Sequence, residues 1–137
     1  MDIDERRRIE AACRDLIVRL VHHYDHKEAA AAADLFTPDG VWVKSRVAYK
    51  GRDAIIGSFE AGPPDLVMRH FTSNIRIVAE DENNASGVTY YLAFIGRGDG
   101  IAQLEMPGSL GEWYDRFVRT ENGWRFSSRE GRRIFER

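Results

Sequence analysis

The chain has 137 residues, 43% of them hydrophobic, and its 20 basic and 22 acidic side chains give a formal charge of −2. This length supports one well-buried core, so we predict a single domain over residues 1–137. The charge balance excludes an overall field that would recruit nucleic acid or an anionic membrane. No run approaches the roughly 20 apolar residues that span a bilayer. The single cysteine, Cys13, has no internal disulfide partner, and we predict a reduced, cytoplasmic, soluble protein.

Three helices are predicted in the first half of the chain. Residues 4–25 carry apolar side chains at helical spacing, and Cys13 lies in that stripe as a small buried hydrophobe without chemistry of its own. An alanine-rich second helix covers residues 27–36 and ends at the breaker cluster of residues 37–40. A third short helix is predicted over residues 53–60.

The remaining segments have the alternation of strands. Residues 41–47 form the first predicted strand. One face of that strand carries Trp42, Lys44 and Arg46. Residues 68–80 and 85–96 flank one turn, and residues 112–119 and 124–128 flank an Asn-Gly turn, so two hairpins are predicted.

The segment between the two hairpins, residues 97–111, contains four glycines, one proline and several apolar residues. We predict a long loop that acts as a flap or a subunit contact. Three helices followed by hairpin-connected strands predict an α+β domain, in which the helices cover one face of a strongly curved antiparallel or mixed sheet. Such a domain is cone-shaped, and its interior is a natural pocket.

Asp25 is the first candidate for chemistry. It falls at the inward edge of the last turn of the first predicted helix, where the helix dipole disfavours a carboxylate by roughly a few tenths of a kcal/mol or more. A buried hydrogen-bonding partner would offset this cost, and His70, in a strand among apolar residues, is the best candidate. The alternative is a solvated Asp25 and a core histidine bonded to a backbone carbonyl.

The spacing of His22 and His26, four residues apart, is also that of a metal-binding pair. The pair straddles the predicted helix end, however, and lacks the glutamate of an HExxH motif. We therefore interpret these side chains as a solvated histidine patch and predict neither a metal nor another cofactor.

The order of the elements and several motifs resemble the SnoaL-like branch of the nuclear transport factor 2-like superfamily, which has a cystatin-like α+β cone fold. The motifs span nearly the whole chain: Tyr24-Asp25, residues 36–42, Tyr49-Lys50-Gly51, residues 70–74 and residues 122–126. Within that superfamily the sequence is most similar to the scytalone dehydratase and lindane dehydrochlorinase group, where an Asp and His pair serves elimination chemistry. The resemblance assigns that pair to Asp25 and His70, with no cofactor.

The resemblance also implies substrate-binding residues. Tyr24 matches a tyrosine of the dehydratase, and Arg129 matches an arginine of the dehydrochlorinase pocket. Aromatic side chains on the strands are candidates for the apolar walls: Trp42, Phe71, Tyr91, Phe94 and Trp113. The second catalytic histidine of the dehydratase has no counterpart within residues 85–96, where Tyr90 or Tyr91 would have to supply a donor.

Three functions are hypotheses at this point. The first is a cofactor-independent lyase, in which His70 is the general base toward a small hydrophobic, aromatic or alicyclic ring and Asp25 fixes its tautomer. The second is a ketosteroid-isomerase-like isomerase or a polyketide cyclase acting through an enolate. The third is a non-catalytic domain that binds a small ligand or a partner protein. The resemblance further implies a homo-oligomer, a dimer or trimer formed through the sheet.

Overall fold

A computed structural model describes residues 1–135, apart from the side chains of residues 105–107. The first helix, α1 (Ile3–Asp25), begins at Asp2, whose side chain accepts a hydrogen bond from the N–H of Glu5 at 2.8 Å. Its apolar stripe is buried, as predicted from the spacing, and includes Cys13. Burial, with a contribution from Asp115, raises the pKa of the Cys13 thiol to about 12, so this group packs as a neutral side chain.

Two short helices follow α1. The second helix, α2 (Ala29–Ala33), is shorter than predicted because the chain turns into a strand at Phe36, whose side chain belongs to the core. The third helix, α3 (Arg52–Gly57), continues as one 3₁₀ turn, Ser58–Glu60. Both helices contribute to the same core cluster as α1, through Ala32, Ala33 and Ile55.

Six strands form the rest of the described chain. They are β1 (Phe36–Lys44), β2 (Val47–Lys50), β3 (Leu66–Ala79), β4 (Asn84–Arg97), β5 (Gln103–Thr120) and β6 (Gly123–Phe135). They make one sheet in the order β2-β1-β6-β5-β4-β3. The β1–β6 pair is parallel and the other neighbours are antiparallel. The prediction of an α+β fold with helices on a curved mixed sheet is confirmed.

Breaks in register bend the long strands. One lies in β3 between Ser73 and Arg76, where Asn74 has a φ of 51°. Asparagine is among the few residues that adopt this left-handed conformation readily. A second break, between Ala93 and Ile95 of β4, lies beside the cavity described below. Because such bulges increase twist and bend the strand, they help the sheet to curve around the helices.

The predicted strand over residues 41–47 is in fact divided between two strands. Ser45 and Arg46 have φ values of 48° and 70° and form the two-residue turn between β1 and β2. Positive φ at both central residues is the geometry that joins tightly paired antiparallel strands. Because valines recur at alternate positions on both sides of the turn, the sequence pattern predicted one continuous strand.

The prediction of a long loop over residues 97–111 is wrong. Strands β4 and β5 extend through most of it and leave residues 98–102 as the connection. Gly108 shows why a glycine-rich segment can still pair: a Cβ at this position would lie 1.5 Å from the carbonyl oxygen of Ala93. Here glycine lets two strands approach closely at a bulge and does not mark the end of a strand.

The apolar interior is divided into two parts. The larger part packs α1 against the sheet, and its centre is Phe126, whose ring lies 4.9 Å from that of Phe117 and 5.2 Å from that of Phe36. The smaller cluster consists of Tyr91, Ala93 and Trp113. It lines a cavity, so one half of the cone is solidly packed and the other half is hollow. Within residues 1–135, no helix is long and apolar enough to cross a membrane.

Candidate active site

Asp25 and His70 meet inside the cone. Oδ1 of Asp25 lies 2.5 Å from Nδ1 of His70, and Oδ2 accepts a hydrogen bond from the backbone N–H of His70 at 2.8 Å. Both side chains are nearly inaccessible, at 4% and 8% exposure. The predicted contact is therefore confirmed, and both carboxylate oxygens are satisfied by one residue. These two hydrogen bonds offset the cost of burying a carboxylate at a helix C-terminus.

Two elements position this pair. Asp25 is the last residue of α1, and the helix stops there because the next residue, His26, leaves helical geometry. His70 lies in β3 directly opposite Ala93 of β4, so its side chain points to the concave face of the sheet. Helix end and strand middle are both held by regular hydrogen bonding, which fixes the geometry of the dyad.

The hydrogen bond to Asp25 decides the tautomer of His70. An ionised carboxylate only accepts, so Nδ1 must carry the proton. The lone pair of the neutral imidazole is then on Nε2, and none of the hydrogen bonds found among the described residues uses that atom. His70 is thus arranged to accept a proton from a ligand in the cavity.

Aromatic rings surround the imidazole of His70. Tyr24 is stacked on it with centroids 5.4 Å apart, and Trp113 and Tyr91 lie at 5.5 and 5.8 Å. Burial, and then the neighbouring carboxylate of Asp25, raises the pKa of Tyr24 to about 12. The Tyr24 hydroxyl accordingly stays protonated near neutral pH and is available as a hydrogen-bond donor.

The cavity has a volume of about 730 Å³ and receives the side chain of His70. This lies within the range of small-molecule sites, roughly 300–1,000 Å³. The predicted residues Tyr24, Trp42, Tyr91 and Trp113 line it, together with Met68 and Ile95. The rest of the lining is largely polar and includes Lys44, Ser109 and Glu130.

A model of the SnoaL-like domain family matches residues 5–130. The chain belongs to the SnoaL-like family. Among solved structures, a candidate scytalone dehydratase from Novosphingobium aromaticivorans is 25% identical, with a TM-score of 0.76 over 91% of this chain and 83% of that chain. A hexachlorocyclohexane dehydrochlorinase, LinA type 2, is 18% identical, with a TM-score of 0.84 over 98% and 90%.

A third similar structure is the LinA type 3 dehydrochlorinase of Novosphingobium barchaimii, which is 20% identical, with a TM-score of 0.83 over 98% of this chain and 92% of that chain. The curated proteins contain no match. The predicted resemblance to the scytalone dehydratase and dehydrochlorinase group is confirmed. At 18% and 20% identity, the likeness to the two dehydrochlorinases shows that this chain shares their fold.

Two of the predicted wall residues, Phe71 and Phe94, lie outside the cavity. Phe71 is 64% exposed on the convex face of the sheet, where its ring packs edge-on against that of Phe94 at 5.8 Å. The physical reason is strand alternation: His70 points inward, so the next residue must point outward. The prediction that Phe71 and Phe94 line the pocket is wrong because it rested on their aromatic character and did not take strand alternation into account.

Arg129 was predicted to contact substrate, and the structure places it behind the cavity wall. It is 1% exposed, and its Nε and Nη2 donate to the two carboxylate oxygens of Asp115 at 2.7 and 3.0 Å. Its guanidinium also lies 4.2 Å from the ring centroid of Trp113. Burial raises the pKa of the Asp115 carboxyl, and the charge of Arg129 opposes that shift. Arg129 supports the wall in this geometry, with its charge neutralised.

Lys44 is a charged cavity residue that was not predicted as part of the site. It lines the 730 Å³ cavity and also a neighbouring one of about 570 Å³, next to Tyr24 in both. Burial lowers its pKa to about 7. One signal for it was present in the sequence, because alternation placed Lys44 on the same face of its strand as Trp42.

The histidine patch lies on the surface of the SnoaL-like domain. His22 and His26 stack with centroids 4.2 Å apart. A potential metal-ligand set consists instead of His22, His23 and Glu28, whose ligand atoms lie within 4.8 Å of one another. Nδ1 of His23 is 3.0 Å from Oε1 of Glu28, and this hydrogen bond lowers the pKa of the Glu28 carboxyl. Exposed clusters of this kind are common without an ion.

Proposed function

We propose that this SnoaL-like domain is a cofactor-independent lyase that eliminates water or halide from a small hydrophobic, aromatic or alicyclic ring. The observation that carries the proposal is the buried Asp25–His70 pair, whose imidazole lines a cavity of about 730 Å³. The names of the similar structures, a candidate dehydratase and two dehydrochlorinases, support the same reaction class.

In the proposed reaction, Nε2 of His70 removes a proton from a ring carbon. The electron pair of the broken C–H bond forms a C=C bond, and the bond to the leaving group on the adjacent carbon breaks. Asp25 stabilises the resulting imidazolium, and the protonated hydroxyl of Tyr24 donates to the leaving group or to a developing oxyanion. General-base catalysis contributes typically about 10²- to 10⁴-fold, so orientation within the cavity supplies the remainder.

A screen of hydroxylated and halogenated ring compounds tests this function. We expect at least one class to lose the mass of water or of hydrogen halide, detected by mass spectrometry of the product, and the reaction to need no added metal or cofactor. The screen should be run in parallel on a His70→Gln variant to identify turnover that depends on the dyad. A complete set of ring compounds that bind without any turnover would contradict the lyase and favour a ligand-binding domain.

An isomerase or cyclase acting through an enolate is the second candidate. It is favoured by the donors beside the base, since both the Tyr24 hydroxyl and the Lys44 ammonium suit a developing oxyanion. Incubation of carbonyl compounds in heavy water separates the two functions. Deuterium incorporation at carbon without loss of a leaving group would identify the isomerase, and loss of the group would identify the lyase.

We further propose that the domain self-associates through the convex face of its sheet, as the family resemblance implies. Phe71 on β3 lies opposite Leu92 on β4, and both are exposed, with Tyr90 close by on the same face. Apolar side chains grouped in this way typically mark an interface.

Replacing Leu92 by aspartate is expected to convert a dimer or trimer to the monomer, because the carboxylate would be desolvated in the interface. Sedimentation velocity at several concentrations measures this. The matched control is Val18→Asp, an exposed apolar position on α1 that should leave the assembly unchanged. A monomeric wild-type protein would contradict the proposed oligomer.

A further inference from the structure

Lys44 is held in one orientation at the boundary between the two cavities. Its Nζ donates a hydrogen bond to Oγ of Ser58 at 2.8 Å, and that hydroxyl donates in turn to the carbonyl oxygen of Ile55 at 2.6 Å. The ammonium has three hydrogens, so two remain for other acceptors. The chain of hydrogen bonds fixes the position of a charge that borders open space on two sides.

Four aromatic rings surround Nζ of Lys44. Their centroids lie at 3.9 Å for Trp42, 4.5 Å for Tyr24, 4.5 Å for Phe59 and 5.9 Å for Tyr49. The faces of such rings attract a cation. Burial acts in the opposite direction and lowers the pKa of this lysine to about 7. A bound anion would favour the charged form further.

The acidic groups around the cavity already have hydrogen-bonding partners within the described chain. Asp25 bonds to His70, Asp115 bonds to Arg129, and Glu130 bonds to Arg132. Among the ion pairs found in the described residues, none includes Lys44.

Other charged side chains also line the cavity. Three of them are basic, Arg46, Arg132 and Arg133, and one is acidic, Glu130. Within the part of the chain that the structure describes, Lys44 is therefore a partly buried amine without an ion-pair partner, and Glu60 lines the neighbouring cavity.

We propose that Lys44 is the anion-binding residue of the site and that the ligand is a ring compound bearing an ionised oxygen, as in a carboxylate or a phenolate. The ring of Tyr24 lies between the two functional groups, with its centroid 4.5 Å from Nζ of Lys44 and 5.4 Å from the imidazole centroid of His70. One flat molecule lying along Tyr24 would place its anionic end at Lys44 and its reacting carbon at His70. This assignment rests on the proposed function, for which it specifies the substrate class.

Binding of benzoate and benzamide tests the assignment, because the two probes share a ring and differ in charge. Isothermal titration calorimetry at about pH 6, where Lys44 is charged, is expected to show a preference for benzoate of about tenfold or more. The preference should fall as the pH is raised through about 7 to about 9, because a neutral amine no longer attracts the anion. Tyr24, which also faces Nζ, keeps its proton over this range, because its pKa is raised to about 12. The other titratable groups that line the two cavities are His70, Tyr49, Glu60 and Glu130. The Lys44→Arg variant keeps all four, so any pH dependence that they cause would remain in that variant.

Variants of Lys44 show whether this side chain, and not another charged residue of the cavity, causes the preference for benzoate. Lys44→Met is expected to remove the preference for benzoate and its pH dependence, and Lys44→Arg to retain the preference without the change between pH values. The matched control is Lys27→Met: Lys27 lines the neighbouring cavity, but its Nζ donates to the carbonyl oxygen of Pro64 at 3.0 Å. That variant should behave as the wild type. Circular dichroism establishes that each variant is folded, and Lys44→Gln replaces Lys44→Met if the latter is not.

Equal binding of the two probes by the wild type would overturn the proposal. A preference that persists in a folded Lys44→Met variant would also overturn it and would assign the anion to an arginine of the rim, Arg46 or Arg133. The proposed reaction fails separately, if turnover survives in His70→Gln. Because benzoate binding requires no turnover, the two failures are distinguishable.

Discussion

Replacing His70 by glutamine is expected to lower kcat by about 10²- to 10⁴-fold on any substrate that the screen identifies, because glutamine cannot accept a proton at this position. The fold should be retained. The backbone N–H of residue 70 still donates to Asp25, and the glutamine side chain fills a similar volume between Tyr24 and Trp113. Steady-state kinetics and thermal unfolding, measured on the same preparations, separate loss of chemistry from loss of structure.

Asp25→Asn is the companion variant. The asparagine oxygen still accepts from the backbone N–H of His70, but the negative charge that stabilises the imidazolium is lost. We expect a fall in kcat of the same order and a changed pH profile, which a merely structural role would not produce. The control is His26→Gln, an exposed histidine next to Asp25 that should leave kcat unchanged. Full activity in either folded dyad variant would contradict the mechanism.

The Asp25–His70 contact was accessible to sequence reasoning because both residues break a simple rule. A carboxylate at the inward edge of a helix end and a histidine in an apolar strand each require a partner, and they lie on elements expected to pack together. Helical periodicity likewise predicted α1 to within one residue of its start. Helical periodicity can be read from one segment alone. The Asp25–His70 contact could be predicted because burying each side chain costs free energy that a partner on another segment offsets.

The predictions that failed concern residues whose surroundings are formed by neighbouring strands and helices. Gly108 permits a close approach to Ala93, which no local pattern distinguishes from a loop glycine. Lys44 occupies a tryptophan-bearing face, but the rings around it come from α1, β1, β2 and the 3₁₀ turn, and only the folded chain brings them together. The sequence around Gly108 and Lys44 therefore does not indicate their roles, which depend on contacts made only in the folded chain.

Arg129→Met is expected to destabilise the folded protein by about 3–5 kcal/mol, the usual cost of leaving one member of a buried ion pair alone. Asp115, 2% exposed, would lose both of its hydrogen bonds from the guanidinium. Urea denaturation measures the free energy of unfolding. The matched control, Arg116→Met, changes an exposed arginine beside Asp115 on β5 and should cost far less.

The pH dependence of the Arg129→Met variant identifies the cause of its instability. Burial raises the pKa of Asp115, and removing Arg129 removes the interaction that opposes this rise. A carboxyl whose pKa is higher in the folded state binds protons more tightly there, so its contribution to stability is present at low pH and lost as the pH rises. The destabilisation should therefore be larger at neutral than at acidic pH. The double variant Asp115→Leu/Arg129→Met should recover much of the loss, because it buries no unpaired charge. A single-variant cost below about 1 kcal/mol, in the range of exposed ion pairs, would show that this pair does not support the wall of the cavity.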